Sequence, residues 1–291
     1  MANTAGRATD RPPWLTLPVP EEPALNRMKA LLDQGRLHTV CESADCPNIG
    51  ECFGNKTCTF MILGSHCTRN CRFCAVPHGS PAAVDPNEPQ LLAATARQLG
   101  LQHVVITSVT RDDLADGGAG QFAAAIGAVR AQLPKAGIEV LIPDFKGSMP
   151  ALEIVLQANP DILNHNIETV PRLYPVVRPQ AGYSRSLALI TRTSQAGILP
   201  KSGLMLGLGE KIAEAVAVMK DLHQCGCKML TLGQYLSPSP AHLPVKEYIH
   251  PDVFTELAQT AQKIGFRQVN AGPLVRSSYH AGYSLAELIQ A

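Results

Sequence analysis

The sequence predicts an α/β chain whose parallel sheet winds into an open barrel, and three observations predict it. From Thr59 onward, short apolar runs alternate with longer amphipathic segments. Polar residues gather directly after the apolar runs. Seven of the nine cysteines fall between Cys41 and Cys74, on either side of the first run. Repeated strand–helix units imply a parallel sheet, and right-handed crossovers wind such units into a doubly wound sheet or a barrel. Six units are two short of the closed eight-unit form. The expectation is a partial (β/α)6 TIM-type barrel with a Cys-rich N-terminal extension and a C-terminal tail.

Residues 1–58 form the expected extension. Pro12, Pro13, Pro18, Pro20 and Pro23 suggest an extended arm reaching a short helix near Ala24–Leu32. The stretch 41–58 holds Gly50 and Gly54 and little periodicity. It cannot build a core of its own and needs a bound group to hold it. Residues 59–265 form the expected barrel. Strand-like runs are Thr59–Leu63, His103–Ser108, Ile138–Pro143, Ile162–Asn166, Gly203–Leu206 and Met229–Leu232. Helix-like segments are Glu88–Leu99, Gly120–Leu133, Met149–Ala158, Ser184–Ala196, Lys211–Gln224 and Pro251–Ile264. Pro251 suits a first turn, where its missing N–H would be unpaired anyway. The tail, 266–291, carries one more strand-like run and then Arg276-Ser277-Ser278-Tyr279.

At 291 residues, 45% hydrophobic and 17% charged, the chain can bury a full core. Its formal net charge of +1 gives no global pull toward nucleic acid or an anionic membrane. No run of 18 apolar residues is present to span a bilayer. The first residues lack the apolar stretch of a secretory signal. An odd cysteine count in one dense cluster points to metal or redox chemistry in a reducing compartment, so a cytoplasmic setting is expected.

Cys67, Cys71 and Cys74 lie directly after the first strand, with three and then two residues between them. Three thiolates on one short loop can hold three corners of a 4Fe–4S cubane. The fourth iron is then an open Lewis-acidic position. A zinc site completed by His66 or His78 is the bland alternative. A second set, Cys41, Cys46 and Cys52, has four and then five intervening residues. Two such sets read most simply as two clusters, with a structural zinc at one of them as the alternative.

The loop spacing and its place after the first strand resemble the radical S-adenosylmethionine (SAM) enzymes. With Thr107-Ser108-Val109-Thr110-Arg111-Asp112-Asp113-Leu114, His165-Asn166-Ile167-Glu168-Thr169-Val170, Thr231-Leu232-Gly233-Gln234-Tyr235-Leu236 and the Arg-Ser-Ser-Tyr tail, the two cysteine sets resemble the lipoyl synthase family over nearly the whole chain. The resemblance implies SAM and two 4Fe–4S clusters as cofactors. It implies a SAM-cleaving cluster on Cys67, Cys71 and Cys74, and an auxiliary cluster on Cys41, Cys46, Cys52 and Ser278. Phe73 matches a position near the adenine. The implied activity is insertion of two sulfur atoms at C6 and C8 of an octanoyl-lysine, with the auxiliary cluster as sulfur donor. Implied partners are an octanoylated lipoyl carrier domain or H protein, an electron donor such as flavodoxin or ferredoxin, and an iron–sulfur carrier that rebuilds the cluster. Phe53 stands where the family often has Trp, and Cys58 and Cys227 match no ligand position.

Four further positions at strand ends or beside them are candidate cofactor contacts: Thr107, Asn164, Glu168 and Arg178. Each also has a plain structural reading. Asp112 and Asp113 can cap a loop or pair with Arg111. Cys225 and Cys227 read as buried or incidental thiols. Two rival functions remain at this level. One is a sulfur inserter acting on a free small molecule, which the N-terminal triad and the serine tail disfavour. The other is a non-catalytic iron–sulfur or zinc protein, which iron, sulfide and zinc analysis separates.

Overall fold

The computed structural model describes residues 11–16, 22–35, 37–44, 46–54, 58–279 and 281. The outer ends of the expected arm and tail, residues 1–10 and 282–291, lie outside the described residues. Eight strands form one sheet in the order of the chain: β1 (His38–Thr39), β2 (Thr59–Ile62), β3 (His103–Ser108), β4 (Gly137–Leu141), β5 (Ile162–Asn164), β6 (Leu199–Leu206), β7 (Met229–Gln234) and β8 (Gln268–Gly272). β1 pairs antiparallel with β2, and every later neighbour pair is parallel.

The extension carries α1 (Glu22–Gln34), α2 (Val40–Ser43) and α3 (Ile49–Gly54). The crossovers use α4 (Glu88–Leu99), α5 (Ala119–Gln132), α6 (Met149–Gln157), α8 (Tyr183–Gln195), α9 (Ile212–Gln224) and α10 (Pro251–Ile264), while α7 (Tyr174–Val177) is a single turn beyond β5. These are the six expected helices, joining β2 through β8. The barrel is open, as expected, and the strand-like run of the tail is β8.

The strands place their apolar set outward against the helices. Val104 and Ile106 of β3, Ile138 and Val140 of β4 and Leu163 of β5 share one core with Leu92, Ala96, Phe122, Ile126 and Leu152. Leu204 and Leu206 of β6 and Leu230 and Leu232 of β7 pack on Val218, Met219, Leu222, Leu257 and Ala261. The alternate residues enter the barrel, as the two-residue period of a strand requires. Several of these are polar. The sequence pattern starts the β6 strand at Gly203, whereas the strand begins at Leu199. Lys201 hides the early part of the strand from an apolar-run reading, yet it is 1% exposed.

Lys201 is tolerated inside because Glu139 of β4 meets it. Lys201 Nζ donates to Glu139 Oε1 at 2.8 Å and Oε2 at 3.1 Å. Asn164 Nδ2 donates to Glu139 Oε1 at 3.3 Å, and His103 Nε2 lies 3.6 Å from Oε2. Burial pushes the Glu139 carboxyl up, but Lys201 and His103 more than reverse this and hold it below its ordinary value of 4.5. The pair therefore contributes stability above the unfolded carboxyl pKa, and loses it as pH falls through the lower folded one.

Removing one partner leaves the other charge buried alone, so Lys201→Met is expected to cost about 3–5 kcal/mol in urea unfolding. Adding Glu139→Gln should recover most of that loss. A cost below about 1 kcal/mol for Lys201→Met would show that the pair does not hold the barrel interior.

Candidate active site

The cysteine loop leaves β2 and is woven into the barrel mouth by its backbone. Cys67 N–H donates to Pro77 O at 2.8 Å, Gly79 N–H to Cys67 O at 2.9 Å, and Thr68 N–H to Thr110 O at 3.0 Å. Cys74 N–H donates to Cys71 O at 3.0 Å, and Arg72 N–H to Val177 O at 3.0 Å. Two N–H groups point at the Cys67 sulfur, from Arg69 at 3.4 Å and Thr110 at 3.3 Å. Hydrogen bonds to a ligating sulfur tune the potential of a cluster held there.

Under the loop, Arg69 is 5% exposed. Its Nε donates to Asp112 Oδ2 at 2.7 Å, and its Nη2 to Asp112 Oδ1 at 2.9 Å and Asp144 Oδ1 at 2.7 Å. Burial works against the Arg69 charge, but the two carboxylates outweigh it and raise its pKa. Arg185 Nη1 adds a second cation on Asp144 at 3.0 Å. Asp113, by contrast, pairs with Arg111 at 2.9 Å. The two adjacent aspartates thus divide their work: Asp112 braces the cysteine loop and Asp113 neutralises its neighbour. Asp144 stands out in the sequence as a polar residue directly after a strand-like run, but nothing there pairs it with Arg69, because the pairing joins loops after three different strands.

The second cysteine set sits on α2, the loop after it and α3. Thr39 caps α2 by accepting from Glu42 N–H at 3.3 Å. The tail closes over this set through side chains. Asn48 Nδ2, between Cys46 and Cys52, donates to Leu274 O at 2.7 Å. Tyr279 Oη donates to Glu51 Oε2 at 2.9 Å, and Asn166 Nδ2 donates to Ser277 Oγ at 2.6 Å. A turn from Arg276 to Tyr279, closed by Tyr279 N–H on Arg276 O at 3.0 Å, carries both serines. At the end of β7 the tail passes so close that a Cβ on Gly233 would run into the Val275 carbonyl oxygen.

One cavity of about 790 Å³ joins these parts, within the range of roughly 300–1,000 Å³ usual for small-molecule sites. Its walls include both cysteine triads, Ser278, Phe73, Thr107, Glu168 and Arg178. Asn164, also expected at this site, is placed differently. It is absent from those walls, and its amide donates to Glu139 inside the barrel. Asn166, two residues on, lines the cavity instead.

The other candidates are partly committed. Thr107 Oγ1 donates to Leu141 O at 2.9 Å, so toward a ligand it can act only as an acceptor. Arg178 Nη1 donates to Asn166 O at 2.7 Å and its guanidinium lies 5.3 Å from the Tyr174 ring centroid. Glu168 holds a left-handed backbone, φ +67°, which costs about 1–3 kcal/mol in a residue with a Cβ. Its N–H on Gly203 O and its carbonyl under Met205 N–H, both at 2.9 Å, hold it there. Burial raises the Glu168 carboxyl pKa, while Arg178 and Asn166 pull the other way. A cationic ligand would find a carboxylate short of positive company. Phe73 packs beside Val177, Leu208 and Tyr235. Cys225 and Cys227 lie away from the cavity, and Cys227 Sγ contacts Met229 O at 3.3 Å.

The thiols suit a cationic group. Burial pushes Cys41 up to about 11, and Cys52 and Cys74 up to about 12. Cys46 and Cys71 are raised by burial as well. Thiolates here need iron charge to form, so cluster binding releases protons. Among the described residues no three Cys, His, Asp or Glu side chains converge tightly enough for a single metal ion. A cubane spreads its thiolates over separate irons and does not ask for that convergence.

An open parallel barrel with a three-cysteine loop after its first parallel strand defines a radical SAM enzyme. Residues 61–222 match the model of the Radical SAM superfamily. Solved structures agree on the fold. Streptococcus suis SuiB bound to S-adenosylmethionine gives a TM-score of 0.59 at 11% identity, covering 72% of this chain and 49% of that one. Methylornithine synthase gives 0.53 at 14% identity, covering 84% and 81%. Among curated relatives, the lipoyl synthase of Caldanaerobacter subterraneus subsp. tengcongensis is 54% identical over 280 residues, 95% of this chain and 98% of that protein. That of Nitrosococcus oceani is 54% identical over 274 residues, 93% of this chain and 85% of that protein. The chain belongs to the lipoyl synthase family. It is an enzyme of the sulfur-inserting class rather than a non-catalytic iron–sulfur or zinc protein.

Gly233→Ala tests the close approach of the tail. It should displace Val275 and with it the serine turn, and is expected to lower the iron bound per chain after anaerobic reconstitution. Unchanged iron content would mean the tail can shift without consequence for the second site.

Proposed function

We propose that Cys67, Cys71 and Cys74 hold the cluster that binds SAM, and that Cys41, Cys46, Cys52 and Ser278 hold the auxiliary cluster. The observation that supports this most is the meeting of both triads and Ser278 on one cavity, although Ser278 lies more than two hundred residues from the second triad. The reaction inserts sulfur at C6 and C8 of an octanoyl chain carried as a lysine amide. These C–H bonds are not acidic, so no general base on the protein can activate them. When bound, the first cluster would supply the electron for reductive cleavage of SAM, which turns it into a hydrogen-abstracting oxidant, and the auxiliary cluster would supply the sulfur.

The residues of the chain do the positioning. Arg69, held by Asp112 and Asp144, fixes the loop that carries the first triad. Glu168 offers its carboxylate to the SAM ammonium, and Arg178 and Thr107 complete the polar side of that pocket. Phe73 and Tyr235, backed by Leu208, form an apolar wall that keeps water from a reactive carbon. Ser278 is a hard oxygen donor to iron that prefers sulfur, so it is the ligand most easily displaced.

Residues 1–58 serve as the extension bearing auxiliary ligands, 59–265 as the barrel and 266–291 as the tail that completes the site. An octanoylated lipoyl carrier domain or H protein presents the substrate. A flavodoxin or ferredoxin supplies electrons, and an iron–sulfur carrier rebuilds the spent cluster. No helix among the described residues is long and apolar enough to cross a membrane, and a cytoplasmic setting suits reduced thiols.

Anaerobic incubation with SAM, a low-potential reductant and an octanoyl-lysine peptide, followed by mass spectrometry, tests the reading. Gain of two sulfur atoms is expected from the native chain. Ser278→Cys should retain its iron yet turn over at least tenfold more slowly. Formation of 5′-deoxyadenosine without sulfur gain contradicts the reaction, and native turnover in Ser278→Cys contradicts the role of a labile oxygen ligand.

A further inference from the structure

Asn166 lies just past β5 and is 8% exposed. Its amide nitrogen carries two hydrogens, and both have acceptors. One goes to Ser277 Oγ at 2.6 Å and the other to Glu168 Oε1 at 3.1 Å. Oδ1 is buried without a hydrogen-bond partner. It packs over Gly203, where a Cβ would lie only 2.8 Å from it. One side chain thus spans the barrel loop bearing Glu168 and the tail bearing Ser278.

We propose that Asn166 is a positioning residue that latches the tail: it anchors Ser277 so that Ser278 meets the auxiliary cluster, and ties that placement to the loop facing SAM. The inference rests on Ser278 being an auxiliary ligand. The two serines divide the work. Ser277 accepts a part-buried hydrogen bond and stays, while Ser278 leaves and returns. An anchored neighbour keeps a departed ligand at high effective concentration, so it rebinds more often than a loose tail would. Losing one such bond corresponds to roughly a three- to tenfold change.

The test uses the full chain with Cys67, Cys71 and Cys74 replaced by alanine, so that after anaerobic reconstitution every iron counted is auxiliary. The rate of iron release to a ferrous chelator is measured for this background and for added Ser277→Ala, Asn166→Ala, both together, Ser277→Thr and Ser278→Ala. Ser277→Ala and Asn166→Ala should each speed release about three- to tenfold. The double variant should be no faster than Asn166→Ala alone, because the bond that Ser277→Ala removes is already gone there. Ser277→Thr, which keeps the hydroxyl, should restore the slow rate. If Asn166→Ala fails to take up iron, the contrast between Ser277→Ala and Ser277→Thr decides alone. Rates within twofold of the background for Ser277→Ala, alongside faster release from Ser278→Ala, overturn the latch only. An unaltered rate in Ser278→Ala overturns the ligand reading and the latch with it. Multiplicative effects in the double variant also overturn a shared bond.

Discussion

Three side-chain hydrogen bonds, from Asn48, Asn166 and Tyr279, hold the C-terminal tail across the barrel mouth. The rest of the site depends on them. Without the tail, the cavity loses the wall formed by Val275, Arg276, Ser277, Ser278 and Tyr279, and under the proposed ligand set the second triad loses its fourth donor. A carbon radical must be quenched by the intended sulfide before anything else reaches it. Both clusters therefore have to share one enclosed space, and the chain must fold its two ends together to make it. The parallel barrel supplies the rest by pointing every strand's carboxyl end at the same mouth.

The electrostatics are arranged in layers below that mouth. Deepest is Lys201 with Glu139, a fully buried pair that lets a barrel interior be polar. Above it, Arg69 with Asp112 and Asp144 pins the loop of the first triad. Highest are Glu168 and Arg178, whose charges are left partly for a ligand. The buried thiols add a dependence of their own. They favour the protonated form until iron arrives, so assembly of the site and release of its protons are one event.

Much of this was legible in the sequence. α4 and α10 have the bounds that their apolar period and terminal signals predict, Glu88–Leu99 and Pro251–Ile264. The triad of Cys67, Cys71 and Cys74 was visible because residues on one short loop are spaced by local geometry, and the other because its three cysteines crowd one short stretch of sequence. β1, only two residues long, is below the length at which alternation means anything. The start of β6 was hidden by Lys201, whose partner lies on another strand. Asn164 and Asn166 could not be told apart for the same reason: which one faces the cavity depends on where β5 ends and on Glu139 claiming the first. Tertiary pairings such as Asn166 with Ser277 leave no trace at any fixed spacing.

The central claim is that two clusters with different tasks serve one cavity, the first cleaving SAM and its companion surrendering sulfide. Counting iron and sulfide in the anaerobically reconstituted chain, alongside its activity, addresses that claim most directly. The account predicts about eight of each per chain in fully active protein. Full activity with about four of each would contradict it.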